Sequence, residues 1–285
     1  MPGSVYAVKR RLPPYEAQAG LEAMIGYSLK QQGSTFGVIS KLASEGVMLG
    51  FYCNYPPRGG DESLARRVTG GPRVSFSEDS IYLGVAINKA SALRSVRRAA
   101  VELFECIVGQ VPHGGKGRGG INAAYGITKV GNSQVIEIVS DEVSKEPSSC
   151  LMEVLHEGVV IREVERVFVD REKVSSYGSS NWLYYPSRKL EHTKHIASGG
   201  FFVEVSASLH EGFIKDINIS GNFYASPPYE PINAIIALEG TPVGELYFYG
   251  VKKRVDQIEF EGVSNENVKE ALDSLFNEIS GHQGS

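Results

Sequence analysis

Two basic residues beside two glycines, "RRVTGG" at 66–71, open the chemical reading. Glycine lets backbone N–H groups approach a ligand closely, and a guanidinium matches phosphate oxygens in a bidentate way. Arg66, Arg67, Gly70 and Gly71 are therefore candidates for an anion cradle, with Arg67 the principal contact and Arg66 the second. The same residues also describe a plain turn with exposed arginines, and both readings stand at this point. A second glycine-rich stretch, "HGGKGRGGIN" at 113–122, lacks the Gly-Lys-Ser/Thr ending that grips phosphate and magnesium in a P-loop. Lys129, in "ITKVGNSQ", falls near the end of a strand-like run, where its ammonium faces either a cleft or solvent. In a cleft such a charge stabilises phosphate and the charge developing on a carbonyl. Cys150 is weighed as a nucleophile, which needs a neighbour such as His156 to lower its pKa. The alternative is a buried structural cysteine.

Composition sets limits on what these residues serve. The 285 residues suffice for two domains, and 42% hydrophobic with 22% charged residues is ordinary for a globular chain with a buried core. A net charge of −4 argues against a nucleic-acid partner held by bulk positive field. The three cysteines, Cys53, Cys106 and Cys150, are too few for a disulfide framework or a zinc ribbon, and the histidines show no ligand spacing, so no metal site is expected. No apolar run is long enough for a membrane span and no signal-peptide pattern opens the sequence, so the expectation is a cytoplasmic protein with no membrane partner.

Periodicity then supplies the elements that must position these groups. "SVYAVKRRL" reads as a strand, and the segment from Pro13 to Gly33 as a helix with Leu21, Met24, Ile25 and Leu29 on one face. "FGVISKLA" and "GVMLGFYC" predict a hairpin, and "SIYLGVAI" a buried strand. "SALRSVRRAAVELFECIVGQ" is the clearest helix, with Leu93, Val96, Leu103, Phe104 and Ile107 in one stripe. Two strands follow the glycine-rich stretch, "CLMEVL" reads as another strand, and "VIREVERVF" is open between helix and strand. The texture changes near 176–192, which marks a domain boundary at about 185. Beyond it come an alternating hairpin over "GFFVEVSASL" and "FIKDINISG", a short helix closed by Gly240, and a final helix capped by Ser264 or Asn265. Its Val268, Leu272, Leu275, Phe276 and Ile279 face a core. The mixture without strict βαβ alternation is α+β.

With these segments in place the chain resembles the lipoate-protein ligases of the biotin/lipoate ligase superfamily. "RRVTGG" is similar to the family's Arg-Arg-x-x-Gly-Gly-Gly turn, and "ITKVGNSQ" to the segment that holds its catalytic lysine. "GGFFVEVSASLHEGFIKDINISGNFY" with "INAIIALEGTP" is similar to the small accessory domain at the C-terminal end of many such ligases. The departures are Pro72 at the third glycine, Ser75, Phe76 and Ser77 where the family has Tyr-His-Asp, Phe51 at a usual arginine, and Gly131 one position early after Lys129. The resemblance implies an α+β, biotin/lipoate-ligase-like catalytic domain over 1–185 and an α/β accessory domain over 186–285. It implies Lys129 as catalytic residue, Arg66, Arg67, Gly70 and Gly71 at the phosphate, and Arg118 and Asn122 at the adenylate, unless 113–122 is only a surface loop. The implied reaction uses ATP with Mg2+ to convert lipoate into lipoyl-AMP. Transfer then goes to a lysine of an acceptor lipoyl domain, in a 2-oxoacid dehydrogenase E2 or a glycine-cleavage H protein. A family member that only binds a ligand or partner, and an ATP-independent acyl transferase working through Cys150, are the other two readings.

Overall fold

The computed structural model describes residues 3–54, 63–89, 91–112, 122–155, 159–167, 169–183 and 190–281. The strand β1 (Ser4–Val8) leads into helix α1 (Pro14–Lys30). Pro14 stands in the first helical turn, where a missing N–H removes no helical bond. Then follow β2 (Thr35–Lys41), β3 (Gly46–Leu49), β4 (Ser63–Arg66), β5 (Val74–Phe76), β6 (Ile81–Asn88) and α2 (Leu93–Val108). The chain continues through β7 (Ala123–Val130), β8 (Ser133–Ser140), α3 (Pro147–Leu155), β9 (Val160–Val164), α4 (Arg171–Tyr177) and α5 (Ser180–Leu183). Among the described residues the main sheet has six strands in the order β7-β8-β6-β2-β1-β9. In it β1 runs parallel to β2 and β9, and the other pairs are antiparallel.

Side chains alternate across that sheet, so each face has its own core. Tyr82 and Val139 join Met24 of α1 on one face, while Leu83, Val85 and Ile138 join Val96 and Phe104 of α2 on the other. The helix α1 buries Leu21, Met24 and Ile25, but Leu29 lies outside, 46% exposed. The strand β8 is buried along its whole length.

The C-terminal part has its own antiparallel sheet of β10 (His192–Ser198), β11 (Phe201–His210) and β12 (Phe213–Gly221). Glu211 and Gly212 both have positive φ, 51° and 82°, the turn whose twist suits a two-residue hairpin loop. A short ladder pairs β13 (Tyr224–Ser226) with β14 (Glu259–Glu261), and α6 (Glu230–Ile236), α7 (Glu245–Val255) and α8 (Asn265–Gly281) complete the chain. The cap of α8 is Ser264: its Oγ accepts the Asn267 N–H at 3.1 Å while Asn267 Oδ1 accepts the Ser264 N–H at 2.9 Å. Val268, Leu272, Leu275 and Ile279 are buried beneath the sheet, with Phe276 at the margin. They belong to one continuous cluster with Leu103, Tyr125 and Phe201, so a shared core joins the two parts. The boundary expected at 185 lies outside the described residues.

Three expectations are corrected. The runs at 36–43 and 46–53 do not form a hairpin: β2 is a central strand of the main sheet, and β3 centres a separate sheet, β4-β3-β5. The residues between them bond elsewhere, Leu42 N–H to Ser80 and Ala43 N–H to Leu12, which leaves no turn to fold β3 back on β2. "CLMEVL" lies in helix α3, not a strand; Pro147 opens it and only one face, with Cys150 and Leu151, is buried. The short helix α6 ends at Ile236, and Gly240, with φ of 74°, closes the turn that follows it. One bridge, short of a framework, is present: Cys106 of α2 and Cys150 of α3 are disulfide-bonded, with Cα atoms 5.8 Å apart, which makes Cys150 a buried structural cysteine. The helix α7 had no counterpart in the sequence reading; "ELYFYG" combines β-favouring aromatics with a glycine.

The disulfide closes a loop of 44 residues, and such a cross-link contributes about 2–4 kcal/mol by restricting the unfolded chain. Denatured protein kept oxidised should show the Cys53 thiol alone to a thiol reagent, and reduced protein all three. Reduction should lower the melting temperature. Equal thiol counts in the two states would remove the bridge.

Candidate functional site

The turn after β4 is not an exposed basic turn, because Arg66 and Arg67 are both fully buried. Arg66 donates through Nη1 to the carbonyls of Gly50, Phe51 and Cys53 at 2.9–3.1 Å. Its Nε and Nη2 reach the Trp182 and Leu183 carbonyls of α5 at 3.0–3.2 Å. The Trp182 indole returns a bond to the Arg66 carbonyl at 3.1 Å. Arg66 thus brackets residues 50–53 to α5. Phe51, where the family has an arginine, packs its ring on Tyr52, Trp182 and Tyr229.

The two glycines serve contact with the C-terminal part. The N–H of Gly71 donates to Phe223 at 2.9 Å, and that of Gly70 to Ile127 at 3.3 Å. A Cβ on Gly70 would stand 2.5 Å from the Phe223 carbonyl, and one on Gly71, with φ of 100°, 2.6 Å from the Tyr224 ring. Both amides expected to cradle phosphate therefore bond protein carbonyls here.

Beneath the turn lies a group the sequence reading missed. Glu137, in the middle of β8, is fully buried, and its carboxylate accepts four hydrogen bonds. Gln18 Nε2 at 2.6 Å and the Tyr82 hydroxyl at 2.9 Å bond one oxygen; Thr69 N–H at 3.1 Å and Thr69 Oγ1 at 2.6 Å bond the other. Gln18 also accepts the Val68 N–H at 3.1 Å. The residues opposite Glu137 on both neighbouring strands are glycines, Gly84 and Gly126. A Cβ at Gly126 would lie 2.2 Å from Thr69 Oγ1, and one at Gly84 2.8 Å from the Tyr82 hydroxyl, so their absence admits the donors. Burial, and then the Glu137 carboxylate, push the Tyr82 phenol well above the usual tyrosine range, which keeps it a donor.

Arg67 is held differently from Arg66. Its Nη2 donates to the Pro72 carbonyl at 2.6 Å, the residue at the family's third glycine. Its Nε and Nη1 are buried with no hydrogen-bond partner among the described residues. An unmet donor on a buried charge costs more than the ~1–3 kcal/mol of a neutral one, so an accepting group at that point has a large free-energy advantage.

Lys129 lies near the end of β7, mostly buried, with its ammonium 3.2 Å from Glu259 Oε2 of β14. The other Glu259 oxygen accepts the Leu93 N–H, capping α2, whose own N-cap Ala92 supplies no side-chain bond. Two residues along, Glu261 pairs with Arg97 of α2, whose Nε also donates to the Tyr125 hydroxyl at 3.3 Å. The turn with Arg67, Gly70 and Gly71 therefore runs along Tyr125, Gly126 and Ile127 of β7, and Lys129 follows further along the strand on the face opposite Gly126. Asn122 is exposed at the opposite end, seven residues and about 23 Å of strand from Lys129. Arg118 lies outside the described residues, as does His156. Cys150, fully buried in its disulfide, has no thiolate, so acyl transfer through it is excluded in this state. A cavity of about 400 Å³ opens next to the turn, between Cys53, Pro72 and Arg73 on one side and Phe202, Glu204 and Asn222 on the other. Among the described residues no three His, Cys, Asp or Glu side chains converge as a metal site, and no helix is long and apolar enough to cross a membrane.

No family model matches the sequence, and no curated protein matches it. Solved structures do. LipL1 of P. falciparum, in complex with lipoate, aligns with a TM-score of 0.64 over 98% of this chain and 99% of its own, at 10% identity. A bipartite lipoate protein ligase from Thermoplasma acidophilum aligns over 66% of this chain and 98% of its own, with a TM-score of 0.45 and 14% identity. The first alignment shows that the mixed α/β architecture is of the biotin/lipoate-ligase type.

Glu137→Gln tests the buried network. An amide keeps the shape but turns one acceptor into a donor facing other donors. Stability should fall by about 1–3 kcal/mol in urea unfolding. An unchanged midpoint would show that the four bonds hold nothing.

Proposed function

We propose that the chain is a lipoate-protein-ligase-like enzyme. It activates lipoate with ATP and Mg2+ to lipoyl-AMP and passes the acyl group to a lysine of an acceptor lipoyl domain, of the E2 or H-protein kind. The observation that carries this reading is Arg67: a buried guanidinium with two unmet nitrogens at the turn that resembles the family's anion site. A carboxylate or phosphoryl oxygen satisfies both, which fits an acid substrate and its adenylate. The match in fold to a lipoate-bound protein along nearly the whole chain supports the same substrate class.

Lys129 is the proposed catalytic cation. Its present partner does not preclude that role, because the pair with Glu259 is part-exposed, 19% and 36% at the side chains. Pairs reached by solvent contribute at most about 1 kcal/mol, so a multiply charged phosphoryl group competes with Glu259 readily. Arg118 remains a proposed adenylate contact, whereas Asn122, exposed at the far end of β7, does not reach an adenylate held at Lys129. Arg66, Gly70 and Gly71 act by shaping the turn that carries Arg67. The second reading, a binder without ligase activity, is favoured by one observation: the Gly70 and Gly71 amides already bond protein carbonyls.

The two readings separate in one assay. An acceptor lipoyl domain incubated with the protein, lipoate, ATP and Mg2+ should gain the mass of a lipoyl group only when ATP is present. Lys129→Ala should reduce that rate by about 10²–10³, and Lys129→Arg should fare little better, since a planar fork cannot place one compact charge at the same point. No mass gain, with lipoate still bound, would leave the binder. Full activity in Lys129→Ala would move the chemistry to another cation.

A further inference from the structure

The C-terminal part contributes a second unmet group beside Arg67. Five tyrosines are buried among the described residues: Tyr52, Tyr82, Tyr125, Tyr177 and Tyr224. Four have a partner for the hydroxyl. Tyr52 bonds the Pro228 carbonyl, Tyr82 bonds Glu137, Tyr125 accepts from Arg97, and Tyr177 bonds Glu22. The Tyr224 hydroxyl is buried with no partner at good hydrogen-bond geometry, the Tyr125 hydroxyl being its only phenolic neighbour with a weak bond to it among the described residues. Its ring stacks on Tyr125 with centroids 5.7 Å apart and meets Phe201 edge-on, packing that a phenylalanine would provide equally.

The crossing of Gly71 over Tyr125 and Gly126 separates this hydroxyl from the free Arg67 nitrogens, near enough for the Arg67 charge to act on the phenol. The hydroxyl-bearing carbon of Tyr224 lies 3.2 Å from where a Gly71 Cβ would stand. The same point on Gly71 is 3.0 Å from the Tyr125 carbonyl, and the next residue, Gly126, would bring a Cβ within 3.0 Å of Arg67 Nη1. Burial and the neighbouring Tyr125 phenol push the Tyr224 phenol well above the usual tyrosine range, against the opposing pull of Arg67 and Arg97. Tyr224 is therefore a neutral donor.

We infer that Tyr224 is a ligand-contacting residue: its hydroxyl and the Arg67 guanidinium together grip the carboxylate of the acid substrate, across the seam between the two parts of the chain. This rests on the lipoate reading above and goes further, assigning the recognition of the free acid to a residue of the accessory part. The donor count suits the task. Arg67 offers Nε and Nη1, Tyr224 one O–H, and a carboxylate accepts all three with lone pairs to spare. An amide of the same acid carries no charge for Arg67 and offers a single oxygen.

Calorimetric titration of the full-length protein with lipoate, with lipoamide and with AMP tests the assignment. The parent should bind lipoate more tightly than lipoamide. Tyr224→Phe should weaken lipoate by roughly tenfold or more, the scale of a hydrogen bond to a charged group, and leave lipoamide unchanged. The melting temperature of ligand-free Tyr224→Phe should equal or exceed the parent's, because an unmet buried hydroxyl is removed; a structural hydroxyl would lower it. Lipoate affinity unaltered in Tyr224→Phe, or lipoate and lipoamide weakened alike, would overturn the inference while leaving the lipoate reading in place. AMP weakened in place of lipoate would overturn the carboxylate assignment. A parent that binds neither lipoate nor lipoamide would remove the reading itself, and the inference with it.

Discussion

The buried carboxylate of Glu137 is the constraint around which the site is assembled. A charge inside a sheet is tolerated only when its oxygens are fully solvated by protein donors, and here four donors come from three separate segments. Gln18 arrives from α1, Tyr82 from β6, and Thr69 from the turn that follows Arg67. Because Thr69 uses both its amide and its hydroxyl, the turn has a fixed distance from β8. That fixes Arg67 against Gly126 and sets the two glycines where the C-terminal part can reach them. The glycines opposite Glu137 on β6 and β7 are part of the same device, since any side chain there would block a donor.

The C-terminal part then closes the site in the manner of an interface. Phe223 accepts from Gly71, Ala225 accepts from Thr128 Oγ1 at 3.1 Å, and the two acids of β14 meet Lys129 and Arg97. Glu259 and Glu261 are two residues apart on one strand, so both point to the same side, toward the cations of α2 and β7. Cation and turn are therefore shaped by residues on both sides of residue 185. The C-terminal part belongs to the candidate site's structure as much as to its periphery.

What could be read from the residues followed their range of interaction. The stripe Leu93, Val96, Leu103, Phe104 and Ile107 repeats at helical spacing, and the structure buries every member. The alternation from Phe201 to Gly221, broken by Glu-Gly, was equally local. Glu137 was not legible, because a lone acid in "SQVIEIVS" also describes a solvated strand edge, and its partners Gln18 and Thr69 lie 119 and 68 residues away. Arg67 was found by its neighbours in sequence, but its difference from Arg66 depends on whether carbonyls happen to surround it. "CLMEVL" failed because six apolar-rich residues carry too little periodicity to separate strand from helix, and the bridge to Cys106 depends on how α3 packs on α2. Ser75 to Ser77 and the early Gly131 depart from the family pattern, and nothing in the fold resists them.

The cap of α2 has a consequence for the order in which the chain acquires structure. Leu93 waits for a carboxylate 166 residues downstream, because its own N-cap is an alanine. At a synthesis rate of about 5–20 residues per second, Glu259 leaves the ribosome roughly ten to thirty seconds after α2 does. Throughout that interval the first turn of α2 has bare amides, and Lys129 lacks its counter-ion. The N-terminal half is thus made early but set late, and its turn and cation acquire their final partners only as β14 docks.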